Sequence, residues 1–176
     1  MVQIFIIADD KQSTYATAHV DDHRVRVNIG KSGVIAKDQK CEGDHKTPLG
    51  QYPLQHLYYR QDKYPTIMTK IPHTPITPDM GWCDDPDHVH YNKKIIKPFD
   101  ASHEDLYRDD HLYDLIIQMG HNESPTIPGK GSAIFMHLKR DSETATEGCI
   151  AFDPDDLLLI LKQATSESYI DISLKS

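Results

Sequence analysis

Cysteine is scarce in this sequence. Three residues, Cys41, Cys83 and Cys149, are spread over 176 positions. An odd, sparse set excludes a self-contained disulfide framework and suits a reducing compartment. Long apolar runs are missing as well: nothing approaches the roughly 20 residues of a membrane helix. Positive charge is in deficit, with 19 Lys and Arg against 27 Asp and Glu and a net charge of −8. Such a chain lacks the basic face that nucleic acids or anionic membranes require, so neither partner is expected. Internal repeats, low-complexity tracts and Ser/Gly linkers are absent too. What is present, 38% hydrophobic and 26% charged residues, is the balance of a globular chain long enough to bury a core without staples. One domain over 1–176 is expected.

The opening "MVQIFIIADD" has no basic start, and its apolar run stops at Ala8 before two aspartates. A secretory signal needs a basic start and a longer apolar stretch. The segment therefore predicts a first strand and a cytoplasmic protein; a periplasmic or cell-envelope location is the alternative if a leader has been removed.

Period-2 alternation is the dominant signal. "RVRVNIG" (24–30) puts Val25, Val27 and Ile29 on one face; "YDLIIQM" (113–119) and "YIDISL" (169–174) alternate in the same way. Strands are also predicted at 2–8, 13–20, 51–60, 66–71, 132–138 and 149–152. One helix is well marked late in the chain. Asp153 can cap it, Pro154 suits its first turn, and Leu157, Leu158, Leu161 and Ala164 form its apolar stripe. A weaker helical or irregular piece is placed around 101–110. The stretch 72–100, rich in Pro, Asp and His, reads as a long ordered loop, a kind that is often functional. The class is mainly β, a sandwich or barrel-like pair of sheets with one C-terminal-region helix.

Each cysteine can be asked whether it is a nucleophile. Cys83 sits in "WCDDPD", where carboxylates oppose thiolate formation. Cys41 has no base near it in sequence. Cys149 follows Gly148, a residue with no side chain where a substrate carbonyl must approach backbone N–H donors. His137 shares a strand face with Ala133 and Phe135, and an adjacent strand end could set its imidazole beside the thiol. The plainer readings are a small buried hydrophobe for Cys149 and a core histidine for His137. Local sequence alone leaves both open.

The combination of motifs is more specific. "GSAIFMHLKRDSETATEGCIAF" (131–152) resembles the catalytic motif of the L,D-transpeptidase (YkuD-type) family, in which an apolar strand delivers a base histidine and a Gly-Cys turn delivers the nucleophile. "EGDHKTPLGQYPL" (42–54) is similar to the family's upstream turn and strand. "GWCDDPDHVHYN" (81–92) and "GHNESPTIPGKGSAIFMH" (120–137) resemble one branch of it. The resemblance implies a β-sandwich-like catalytic domain, Cys149 as nucleophile, His137 as base held by the Leu138 carbonyl, and Gly148 with the Cys149 amide as oxyanion donors. Many transpeptidases of the family carry His before the Gly-Cys and Arg two residues after the cysteine. Glu147 and Ala151 stand there in this chain, and the loop from His137 to Cys149 is short.

The resemblance further implies a peptidoglycan peptide as substrate. Release of a terminal D-alanine from a recycled tetrapeptide (an L,D-carboxypeptidase step in murein recycling) is favoured over cell-envelope crosslinking by an L,D-transpeptidase. Asp84 is a candidate to receive the substrate's ammonium and Trp82 to line the cleft, against the plainer roles of turn carboxylate and packing anchor. Cys83, His88 and His90 have spacings that could hold a metal. A non-catalytic metal- or peptide-binding module is thus the alternative of another class. Neither metal nor cofactor is expected.

Overall fold

The computed structural model describes all residues from Met1 to Ser176. Strands β1 (Gln3–Ala8), β2 (Tyr15–Val20) and β3 (His23–Asn28) form an antiparallel meander. The short β4 (Val34–Ile35) and β5 (Thr47–Pro48) pair beside a 3-10 turn at Lys37–Gln39, and the long β6 (Gly50–Tyr59) follows. Next come β7 (His73–Pro75), β8 (Met80–Cys83), β9 (Lys94–Ile96) and β10 (His103–Asp105). The chain ends with β11 (Leu115–Met119), β12 (Phe135–Leu138), β13 (Ile150–Phe152), helix α1 (Pro154–Gln163) and β14 (Tyr169–Leu174).

The main sheet runs β11-β12-β13-β3-β2-β1-β14-β6-β7, and an additional pairing of β6 with β11 closes it into a barrel with β7 outside the ring. Strand β1 lies parallel to β14 along its full length, from Gln3 opposite Tyr169 to Ala8 opposite Leu174. A second sheet, β10-β8-β9, stands apart from the barrel. The alternation read from the sequence reappears as burial: β1 and β2 bury every second residue. One face of the barrel strands joins a continuous core that includes Ile4, Ile6, Val27, Ile29, Ile117, Met136, Leu138, Ile150 and Phe152, with Leu157, Ile160 and Leu161 of α1. Each such side chain removed from water contributes about 1.5–3 kcal/mol.

A smaller core lies on the other face of the same strands. Phe135, Ala133, Ile116 and Cys149 pack there against Trp82, Met80, Leu106 and Tyr113. The second sheet and its flanking segments therefore cover the outer face of β11, β12 and β13, and this cover creates the site.

Three expectations need correction. Residues 66–71 form no strand: they lie between Pro65 and Pro72, Met68 is exposed, and Lys70 N–H bonds the Ala164 carbonyl past the end of α1. The stretch 72–100 is more than a loop, since it holds β7, β8 and β9, strands too short to show alternation. Of the two readings of 101–110 the irregular one holds, apart from the short β10, paired with β8. Helix α1 starts where expected, yet Asp153 makes no capping bond. Its carboxylate accepts from Lys139 Nζ at 2.6 Å instead. No helix is long and apolar enough to cross a membrane.

Candidate active site

Strands β12 and β13 run parallel, with His137 opposite Ala151. By period 2, Phe135, His137, Cys149 and Ala151 share the outer face, while Met136, Leu138, Ile150 and Phe152 point into the main core. This register brings His137 and Cys149 to the wall of one cavity of about 820 Å³. Each is only 7% exposed.

The backbone around Cys149 is held tightly. Gly148 has φ +133°, and a Cβ there would sit 3.0 Å from the Lys46 carbonyl oxygen and 3.3 Å from Ile134 Cδ1. Only glycine fits this turn. Thr47 Oγ1 donates to the Gly148 carbonyl at 2.9 Å, and Thr146 Oγ1 donates to the Cys149 carbonyl at 2.7 Å. The Gly148 N–H donates to Thr146 Oγ1 at 3.1 Å. It is thus engaged by a side-chain hydroxyl in the resting site. The Cys149 N–H has no partner within the chain.

The thiol donates to the Ala133 carbonyl at 3.1 Å and accepts from Phe135 N–H at 3.4 Å. His137 Nδ1 lies 2.8 Å from the Leu138 carbonyl oxygen. A carbonyl only accepts, so Nδ1 carries the proton and Nε2 keeps its lone pair. Tyr113 meets the imidazole edge-on, with ring centroids 5.4 Å apart. Burial pushes the Cys149 thiol up to about 12, helped by the charge of Glu104. Burial likewise pushes His137 down to about 4. Both groups are therefore neutral at rest.

The remaining candidates fall outside the cavity wall. Trp82 is 2% exposed and packs at right angles on Phe135, with centroids 5.0 Å apart, while its Nε1 donates to Asn92 Oδ1 at 3.0 Å. It supports the floor of the site and does not line it. Asp84 Oδ1 is buried without a hydrogen-bond partner. Cys83 is fully buried, and His88 stacks on His90 at 5.2 Å. No three His, Cys, Asp or Glu side chains gather closely enough to hold a metal ion. Sequence reasoning missed Glu104, Arg108 and Tyr113, which reach the cavity from the cover.

The family model of the L,D-transpeptidase catalytic domain, YkuD, matches residues 3–172. The chain belongs to this family. As an L,D-transpeptidase-family domain it is similar to a solved L,D-transpeptidase from Mycobacterium smegmatis, with a TM-score of 0.42 and 11% sequence identity. That similarity covers 97% of this chain and 58% of the other, so the chain spans little more than half of that protein's length. None of the curated proteins matches the chain. YkuD-family domains are cysteine-dependent acyltransferases or peptidases.

Proposed function

We propose that this YkuD-family domain is an L,D-carboxypeptidase that releases terminal D-alanine from a peptidoglycan tetrapeptide through a thioester on Cys149. The observation that carries the reading is the shared outer face of paired strands that sets His137 and Cys149 on one cavity wall. As the donor carbonyl enters, the thiol proton passes to His137 Nε2 and Sγ attacks the carbonyl carbon on the L-centre of the diamino acid. The Cys149 N–H is free to donate to the oxyanion. Collapse of the tetrahedral intermediate breaks the C–N bond, and His137 returns its proton to the leaving amine of D-alanine. Water then gives a proton to His137 and attacks the thioester; the proton goes back to sulfur as the tripeptide leaves.

Water is the proposed acceptor because the two positions that flank the nucleophile, Glu147 and Ala151, offer no free group to hold a second amine beside the acyl carbon. Ala151 is a small residue on the cavity wall, and Glu147 turns to Lys31, at 2.8 Å, and to His45. Holding an amine near the acyl carbon is what would let it outcompete water. The test is a mass-spectrometric product census with tetrapeptide, over a range of acceptor peptide, for the wild type and Cys149→Ala. Tripeptide and free D-alanine from the wild type alone are expected. Crosslinked dimer dominating over tripeptide would replace hydrolysis by transpeptidation.

A further inference from the structure

The cavity holds two kinds of charge, and they are unequally satisfied. Its cations are occupied: Lys40 Nζ pairs with Asp44 at 2.5 Å. Arg108 Nε donates to Asp110 at 2.9 Å, with its Nη2 on the other carboxylate oxygen, and Arg140 lies 3.6 Å from the same group. Of its three anions, Glu147 is paired with Lys31 and His45, but Glu42 and Glu104 are not so placed. No ion pair within the chain engages Glu104 or Glu42. Glu42 accepts from Ser132 Oγ at 2.7 Å and from Tyr91. Glu104 accepts only from Tyr113, at 2.5 Å to Oε2. That bond fixes the carboxylate and leaves Oε1 to the cavity.

The position of Glu104 matters for chemistry. It stands on β10, opposite Trp82 of β8, so it enters the cavity from the cover while Cys149 enters from the barrel. Tyr113, which holds Glu104, also packs on His137. Burial, with Asp84 and Glu42 nearby, pushes the Glu104 carboxyl up, while its bond to Tyr113 and the charge of Arg108 oppose the rise. An anion here opposes the thiolate. A cation docked on Oε1 would relieve both the carboxylate and the thiol.

We propose that Glu104 is the specificity residue of the site: its free oxygen receives the side-chain ammonium of the donor's diamino acid, and that docking favours ionisation of Cys149. This rests on the carboxypeptidase reading above. A donor carrying a free amine is selected because it supplies the missing positive charge, and Tyr113 keeps the acceptor oxygen in place. The neutral, nearly isosteric Glu104→Gln can still accept from Tyr113 but cannot offer the charge.

The experiment has two arms. In the first, tetrapeptide with a free side-chain amine competes with the same peptide acetylated on that amine. The wild type is expected to favour the free amine by on the order of tenfold or more in kcat/KM, chiefly through KM, and Glu104→Gln to bring the ratio close to one. Glu104→Asp keeps the charge on a shorter arm, and its ratio should fall between the two. In the second arm no peptide is present. Iodoacetamide alkylation of Cys149, followed over a pH series with Cys41 and Cys83 replaced by alanine, should be on the order of tenfold faster in Glu104→Gln at a given pH, and unchanged in Glu104→Asp. An unchanged ratio or an unchanged alkylation profile in folded Glu104→Gln overturns the proposal. Failure of the wild type to process either peptide would refute the carboxypeptidase reading, and with it the donor assignment, while alkylation would still decide whether Glu104 acts on the thiol.

Discussion

Acid should destabilise this fold through His137, in a way that a single substitution removes. Burial holds the imidazole at about 4, against its ordinary value of 6.5. Below 6.5 the unfolded chain takes up a proton that the folded chain refuses, so stability falls as pH drops towards about 4. Between neutrality and about pH 4.5 this one group should cost about 2.4 kcal/mol. Urea unfolding of the wild type and His137→Gln at both pH values gives the assay. The difference between their two acid losses isolates the histidine, because distant carboxylates contribute equally to both proteins. His121, also pushed down to about 4 by burial, should give a similar difference when replaced by Gln. Equal acid losses in the wild type and His137→Gln would show that the ring protonates as readily in the fold as outside it. The neutral base invoked above would then be lost.

Three further outcomes follow from the geometry. Gly148→Ala should lose about 2 kcal/mol or more in urea unfolding, and most of its D-alanine release, since alanine is strained at φ +133° and meets the Lys46 carbonyl. Lys40→Met should lose about 3 kcal/mol by the same assay, because it leaves Asp44 without its buried cation. Cys41→Ala and Cys83→Ala should keep D-alanine release near wild type; the second, fully buried, should lower stability by about 1 kcal/mol.

The barrel was legible because its strands are half-buried, and half-burial writes a period of two into the chain. Strand β14 coincides with the predicted 169–174, and β1 differs from its prediction by a single residue. The cover was less legible. Strands of three or four residues such as β8, β9 and β10 are too short for periodicity, and Met80–Cys83 is buried on both faces. Residues 66–71 alternate like a strand but have no neighbour to pair with. At the site, His137 and Cys149 were visible through a motif of neighbouring segments. Glu104 had no such signal: it lies in "HEDL", and its importance comes from Tyr113 and Cys149, which only the folded cover brings to it.

The closed barrel has a consequence for evolution. Strand β12 faces the main core with Met136 and Leu138 and the cavity with His137. The reactive pair thus rides on a rigid wall, while the outer sheet and the segment that follows it contribute Glu104, Arg108 and Tyr113 to the cavity. Exchanges in that outer sheet can alter which peptide is admitted without repacking the barrel interior. Such a layout lets substrate preference drift while the thiol and imidazole keep their register, so closely related domains can diverge in what they accept before they diverge in how they react.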